Sequence, residues 1–128
     1  MPRDAVADTS ETLCGIRILN CDPNGRLIRS DRDAVDIVGA ALSERCSLVV
    51  LPVERLGDDF FALKTGIAGA VIQKFVNYQR SLAIMGDIDH HLAASGALRD
   101  FVYETNRGRQ VWFVANRAAL EARLLQSD

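Results

Sequence analysis

Hydrophobic residues along the chain follow two patterns, and the two alternate. Short continuous apolar runs occur at residues 46–52, 81–87 and 110–115, which is typical of strands buried on both faces of a parallel sheet. Between these runs, apolar residues recur at three- and four-residue steps, which predicts helices. Strands that alternate with helices predict right-handed crossovers and a mostly parallel sheet. The predicted helices are one built on Ala34, Ile37, Val38, Ala41 and Leu42, one over residues 60–79, one after Ser95 and one after Asn116.

The start of the chain has a different pattern. Residues 13–20 form a β-rich run, residues 22–25 (Asp-Pro-Asn-Gly) are a turn signal, and residues 26–30 fit a return strand. We therefore predict an N-terminal β-hairpin whose first strand is antiparallel and lies at an edge. Residues 1–12 read as a flexible tail by their composition. The prediction is a single α/β domain over residues 13–126, with a mixed sheet of about five strands and about four helices.

Composition and charge narrow the function classes. The 128 residues suffice for one domain with its own core; 48% are hydrophobic and 25% are charged. The net charge of −2 argues against sequence-independent nucleic-acid binding, which needs a clustered positive surface. No apolar run is long enough to span a bilayer. The first residues also lack the apolar segment of a secretory signal.

The three cysteines, Cys14, Cys21 and Cys46, are odd in number and widely spaced. This spacing predicts neither a zinc site nor a disulfide framework. Free thiols are typical of a reducing compartment, so we expect a cytoplasmic protein.

The predicted helix over residues 60–79 has small residues where a surface helix usually carries charges. At about 100° per residue, one arc of its wheel is apolar, and the opposite arc is small and amide-bearing. A glycine inside a helix costs roughly 1 kcal/mol relative to alanine, so the two glycines here require an explanation. Either a segment of the same chain passes close by, or this side is a contact surface for a second chain. The predicted partner interface consists of Phe60, Phe61, Gly66, Gly69, Ala70, Gln73 and Asn77.

Lys64 falls in the apolar arc if the helix already includes it, and an unpaired buried ammonium would be costly there. Either the helix starts at Thr65, which then serves as the N-cap, or Lys64 reaches a carboxylate or a ligand. In the second case the loops after the strands would form an anion or ligand site. Its predicted members are Lys64, Thr65, Asp87 and Arg107.

Residues 86–91 carry Asp87, Asp89, His90 and His91 directly after a predicted strand, where α/β proteins bind ligands. Adjacent histidines point in different directions, and no further ligand at helical spacing completes a metal site. No nucleophile accompanies the histidines. We therefore interpret the segment as a polar surface loop, and we expect no metal, no cofactor and no catalytic residues.

Five motifs spread over most of the chain form a specific set. They are Asp59-Phe60-Phe61-x-Leu63-x-Thr65-Gly66-x-Ala68-Gly69, Gln73-Lys74-Phe75-x-Asn77-Tyr78, Ala83-Ile84-x-Gly86-Asp87, Leu98-Arg99-Asp100-Phe101 and Glu104-x-Asn106-Arg107-Gly108. As a set they resemble a bacterial family of uncharacterised proteins, domain of unknown function 4180. The resemblance implies no activity, because none is assigned to that family.

The order of elements also resembles STAS domains, the fold of anti-sigma-factor antagonists. In those proteins the helix after the third strand opens with Asp-Ser, and the serine accepts phosphate from a partner kinase. Here Asp59-Phe60 stands at the comparable place, without the acceptor serine. The resemblance therefore implies a STAS-like fold and a partner surface near the start of this helix, but not that phosphorylation.

These observations together favour a non-catalytic protein-interaction or regulatory module. We expect its partner to be another protein or a second copy of the chain, and neither nucleic acid nor a membrane. The alternative is a small-molecule or anion binder, or an enzyme, that uses the strand-end loops around Lys64, Asp87 and Arg107.

Overall fold

The computed structural model describes residues 8–126. Five strands in this part of the chain form one sheet: Thr9–Leu13 (β1), Ile16–Asn20 (β2), Leu48–Pro52 (β3), Ser81–Met85 (β4) and Val111–Val114 (β5). The α-helices are Asp31–Ser43 (α1), Asp58–Phe61 (α2), Ile67–Asn77 (α3), Asp89–Ala94 (α4), Gly96–Asn106 (α5) and Arg117–Gln126 (α6). Short 3-10 turns occupy Val53–Arg55 and Leu63–Thr65. None of the helices in residues 8–126 has both the length and the apolar character needed to cross a bilayer.

The strands lie in the sheet in the order of the sequence, β1-β2-β3-β4-β5. β1 pairs antiparallel with β2, and the later pairs are parallel, which confirms the predicted antiparallel edge strand and mostly parallel sheet. Because each parallel strand is added on the same side of the one before it, every crossover helix falls on the same face. The strand order never reverses among the described strands, so they form no topological switch point, the usual place of a ligand crevice in open α/β sheets.

Two hydrophobic clusters mark the two faces of the sheet. The larger cluster joins α1, α3 and α5 to one face, and the fully buried Phe75 of α3 is one of its largest members. The smaller cluster joins α6 to the other face, where Leu120 and Leu124 pack with Trp112 and Val50. Each such buried side chain stabilises the fold by about 1.5–3 kcal/mol relative to its exposed state.

The predicted N-terminal hairpin forms, but with different residues. Its strands are β1 and β2, and the turn between them is Cys14-Gly15, where both residues have positive φ (53° and 78°). Residues 9–12, predicted as tail, therefore belong to the sheet, and residues 1–7 of that tail lie outside the described residues. β1 contains no buried residue. Its polar composition suits an exposed edge strand, and no apolar pattern marks it as a strand.

Residues 26–30, predicted as the return strand, are not a strand, and Arg55 explains why. The guanidinium of this buried arginine donates to the carbonyl oxygens of Asp22 (3.0 Å) and Arg26. The Arg55 carbonyl oxygen accepts from the backbone N–H of Ile28 (2.7 Å). Gly25 lies against the guanidinium so closely that a Cβ there would be 2.5 Å from it. One side chain from a later loop thus holds this segment as a loop.

The predicted helix over residues 60–79 is interrupted, and α3 begins only at Ile67. Gly66 stands at the break with φ 79°. The Thr65 hydroxyl accepts from the backbone N–H of Ile67 (3.2 Å) and donates to the carbonyl oxygen of Ala62 (2.8 Å). The helix therefore starts after Thr65, so Lys64 lies outside it, as in the first of the two alternatives given above. The N-cap position itself is Gly66 and not the predicted Thr65.

The three predicted helix caps are confirmed. Ser30 Oγ accepts from the N–H of Asp33 (3.3 Å), Ser95 Oγ from that of Leu98 (3.1 Å), and Asn116 Oδ1 from that of Ala119 (2.9 Å). One helix was not predicted: α4 includes half of the segment 86–91 that we interpreted as a loop.

Candidate interaction surface on helices α1 and α3

Helix α3 has a buried inner side and an open outer side. The inner side packs on the sheet and on α1 through Ala68, Val71 and Phe75. The predicted small and amide-bearing residues are all exposed, on the outer side of α3 and at its start: Gly66, Gly69, Ala70, Gln73 and Asn77.

Close packing within the chain does not explain the two glycines. A Cβ at Gly66 or at Gly69 would meet nothing within 4 Å among the described residues, so no neighbouring segment within residues 8–126 accounts for these glycines. Gly66 is instead favoured by its φ of 79°, a conformation that costs other residues about 1–2 kcal/mol. Gly69 does not have a positive φ, so alanine in its place would be roughly 1 kcal/mol more favourable in the helix.

The two amides on this outer side are partly paired with each other. Gln73 Nε2 donates to Asn77 Oδ1 at 2.8 Å. The side-chain atoms Gln73 Oε1 and Asn77 Nδ2 make no hydrogen bond with residues 8–126. Val76 is also exposed, and at 100° per residue it lies within about 20° of Gly69 on the wheel. The outer side of α3 therefore combines small, apolar and amide groups and carries no charge at its centre.

Helix α1 extends this outer side. α1 lies beside α3 in the same layer, and Lys74 of α3 pairs with Asp31 of α1 at 3.7 Å. Val35 and Leu42 of α1 are 37% and 44% exposed, and a Cβ at Gly39 between them would meet nothing within 4 Å. The sequence pattern placed Leu42 on the buried face of α1, and this was wrong. We call the combined region the α1–α3 surface: Val35, Gly39, Leu42, Gly69, Ala70, Gln73, Val76 and Asn77.

Phe60 and Phe61 are not on this surface. They are 2% and 6% exposed, and their rings meet edge to face with centroids 5.1 Å apart. The Phe61 ring also stacks on the His91 imidazole at 4.2 Å. Both phenylalanines, predicted as interface residues, are therefore core residues that fix α2 against the domain.

The predicted ligand residues do not line one cavity. Asp87 lines a hollow of about 310 Å³ at the carboxyl ends of β4 and β5, whereas Arg107 lines a different hollow. Lys64 and Thr65 line neither hollow. Lys64 is exposed and has no hydrogen bond or ion pair with residues 8–126, and the Thr65 hydroxyl is used by the start of α3.

Among residues 8–126 no group of three or more His, Cys, Asp or Glu side chains is placed to hold a metal ion. Burial raises the pKa of Cys21 to about 12 and also raises the pKa of Cys46, so neither thiol is poised as a nucleophile. Burial, and then the neighbouring His90, lower the pKa of His91, which suits a neutral ring stacked on Phe61.

Comparison with known proteins identifies one family. The family model with the description Domain of unknown function (DUF4180) matches residues 14–124. This range contains the whole α1–α3 surface and all five motifs quoted above. It also contains the residues of α5 and β5 that line the two hollows. No curated protein matches the chain, and no solved structure matches it. The similarity to STAS domains therefore remains a prediction from the order of the elements.

Proposed function

The chain belongs to the DUF4180 family, and within that family we propose that it is a non-catalytic interaction module that binds a protein through the α1–α3 surface. The observation that supports this proposal is the position of Gly39 and Gly69. Both lie on the outer sides of adjacent helices, and no atom of residues 8–126 lies within 4 Å of a Cβ added at either one. A glycine that costs roughly 1 kcal/mol in an isolated helix becomes useful where a second backbone has to approach closely.

A second copy of the chain is the partner that we propose. The α1–α3 surface is apolar, small and amide-bearing, and charged residues are depleted in the cores of protein interfaces. α1 has 13 residues and α3 has 11, which makes them about 20 Å and 16 Å long. Two such helices packed on the same pair of a second copy would give a self-complementary contact with twofold symmetry. We place this module in a reducing compartment, the cytoplasm, because Cys14, Cys21 and Cys46 are free thiols.

The first test is the oligomeric state of two matched variants. Ala70 on the α1–α3 surface and Ala122 on α6 are both exposed helical alanines. Light scattering over a concentration series should show a dimer for the wild type and for Ala122→Arg, and a monomer for Ala70→Arg. A wild-type protein that stays monomeric at every concentration would refute self-association, and so would an Ala70→Arg variant that dimerises like Ala122→Arg.

The second test separates stability from association at the two glycines near the start of α3. Gly69→Ala should raise the free energy of unfolding of the monomer by about 0.5–1 kcal/mol, because the position is helical and open. The same change should weaken the dimer. Gly66→Ala should instead lower the free energy of unfolding by about 1–2 kcal/mol because of its positive φ. Urea unfolding at low concentration and sedimentation at high concentration would measure the two effects, and a Gly69→Ala variant with stronger association would contradict the proposed contact.

A second function is favoured by the hollow of about 310 Å³ beside Asp87. Its walls are mainly apolar, from Ile84, Leu92, Val102 and Phe113, and Asp87 and Asp89 add carboxylates. This combination suits a small apolar molecule that carries a cationic group. A thermal-shift screen with small amines would test it, and stabilisation should be lost in Asp87→Asn but kept in Lys64→Ala, because Lys64 does not line the hollow.

A further inference from the structure

Arginines are concentrated at one end of the molecule. The loops that lead into β4 and β5, the start of β2, and the ends of α1 and α6 meet at the amino ends of the parallel strands. Six arginines belong to this region: Arg17, Arg45, Arg80, Arg107, Arg109 and Arg123. Within residues 8–126, these segments and the last turn of α5 carry two carboxylates, Glu44 and Glu104. A chain with a net charge of −2 therefore has a local positive region that its total charge conceals.

Most of these arginines form no ion pair with a carboxylate of residues 8–126. Among residues 8–126 only Arg107 is near a carboxylate, at 3.7 Å from Glu104, and both side chains are about two-thirds exposed. Arg17, Arg80 and Arg123 donate to backbone carbonyl oxygens instead. The side chains of Arg45 and Arg109 make no hydrogen bond or ion pair with the described residues. By contrast, Arg26, Lys74 and Arg117 elsewhere on the surface each pair with a carboxylate.

Three of the arginines converge on a hollow of about 530 Å³ next to Trp112. Arg107, Arg109 and Arg123 line it, and among residues 8–126 no aspartate or glutamate does. Arg123 is held in place, because it donates to the carbonyl oxygens of Asn106 and Gly108 and its guanidinium lies 4.9 Å from the centre of the Trp112 ring. A smaller hollow of about 130 Å³ shares Arg109 and Trp112 with it and reaches Ser47 and Ser81.

Interaction with the end of helix α5 accounts for only part of this arrangement. Cations near a helix C-terminus are favourable because the last carbonyl groups carry partial negative charge. Arg123 satisfies one such carbonyl oxygen, that of Asn106, and also bonds to the carbonyl oxygen of Gly108 just beyond the helix; Arg107 is the C-cap residue of α5. Arg109 has no such role, since its side chain has no partner in residues 8–126. The hollow therefore holds more positive charge than the helix end requires.

We propose that this hollow binds a small molecule that carries phosphate groups, with Arg107 and Arg109 as its direct ligands and Arg123 as a fixed charge behind them. The planar guanidinium fork matches two phosphate oxygens at once, which makes arginine the preferred side chain for phosphate. The volume of the hollow falls within the range of about 300–1,000 Å³ typical of small-molecule sites. This site lies near the amino end of β5, whereas Asp87 follows the carboxyl end of β4, and the two hollows share Asn106 in their linings. The site contains none of the residues of the α1–α3 surface, so it is a binding function beyond self-association.

Isothermal titration calorimetry with inorganic pyrophosphate tests this proposal. The wild type should bind it saturably at low salt. The double variant Arg107→Gln/Arg109→Gln should bind about tenfold or more weakly, because it loses the two charged side chains that would donate directly to the phosphate oxygens. The matched control is Arg29→Gln/Arg32→Gln, which removes the same charge from two exposed arginines at the other end of α1. This control should bind pyrophosphate as the wild type does.

Three results would overturn the proposal. They are no saturable binding by the wild type, equal weakening in both double variants, and binding of a single-stranded oligonucleotide but not of pyrophosphate. If the Arg107→Gln/Arg109→Gln protein unfolds more easily than the wild type, Arg109→Gln alone carries the test, since that side chain has no partner to lose. Ala70→Arg should bind pyrophosphate normally, so failure of this site and failure of self-association are distinguishable.

Discussion

The two faces of the sheet are covered unequally, with α1, α3 and α5 over one face and α6 over the other. The difference follows from the strand order. Because the strands are added in sequence, every crossover helix falls on the first face, and the second face is covered only after β5 has been completed. In a fold with such uneven layers, burial of the second face of the sheet depends on the helix that follows the last strand.

The two layers are also held by different interactions. The first layer packs mainly through apolar side chains, and its helices touch one another as well as the sheet. α6 adds two leucines, the contact of Arg123 with Trp112, and an ion pair at 2.7 Å between Arg117 and Glu11 of the edge strand β1. The last helix thus links the two edges of the sheet, and this link contributes less apolar burial than the first layer.

The largest expected effect is in the first layer, at Phe75. This side chain is fully buried between α3, α1 and the sheet, so Phe75→Ala should lower the free energy of unfolding by about 3–5 kcal/mol. The control on the same helix is Val76→Ala, an exposed position, which should change stability by less than about 1 kcal/mol. Urea unfolding would measure both, and similar values for the two variants would mean that α3 does not contribute the core described here.

The next effect tests the dependence of the second face on α6. Leu120 is buried and Leu125 is 74% exposed on the same helix. Leu120→Ala should cost about 2–4 kcal/mol, and Leu125→Ala should be close to neutral. Native-state hydrogen exchange should also show α6 amides opening at lower free energy than α3 amides. Equal protection of the two helices would remove the proposed contrast between the layers.

The smallest effect concerns the ion pair that connects α6 to β1. The side-chain hydrogen bonds from Arg117, and then from Asn20, lower the pKa of Glu11 from 4.5 to about 2. Because the folded-state pKa is the lower one, the unfolded chain binds more protons in this window, so the stabilisation is complete above pH 4.5 and is lost as the pH falls toward 2. The free energy of unfolding of the wild type should therefore decrease over this range more than that of Glu11→Gln.

A matched variant isolates this contribution. Glu121 pairs with the same arginine at 3.3 Å from within α6, so Glu121→Gln removes a carboxylate from Arg117 but keeps the bond to β1. Its acid dependence should follow the wild type. Urea midpoints measured from neutral pH to acid would compare the three proteins, and identical curves for the wild type and Glu11→Gln would show that the ion pair does not couple α6 to the edge strand.

Local sequence patterns were sufficient to predict most of the strands and helices. The apolar runs correctly indicated β3, β4 and β5, because strands buried on both faces need apolar residues at successive positions. Ser30, Ser95 and Asn116 marked the starts of α1, α5 and α6, since a cap bonds to an N–H only three residues away. For the α3 part of the candidate surface, the same helical spacing identified Gly69, Ala70, Gln73 and Asn77 as one exposed side.

Contacts between distant residues were not visible in those patterns. Arg55 keeps residues 22–28 out of the sheet through bonds to residues 29 and 33 positions away, and the polar β1 becomes a strand only because β2 lies beside it. Phe60 and Phe61 were predicted as interface residues, and only the structure shows that both are buried and that the Phe61 ring stacks on His91.

The sequence by itself determined the alternation of strands and helices, the helix starts and the small outer side of α3, because hydrophobic periodicity and capping act over a few residues. Only the tertiary structure decided that α1 adds Val35, Gly39 and Leu42 to that side and that α6, alone among the described helices, covers the second face. It also decided that Arg107, Arg109 and Arg123 share one hollow. The physical reason is that these features depend on which elements pack side by side, and packing brings together residues that no short-range pattern relates.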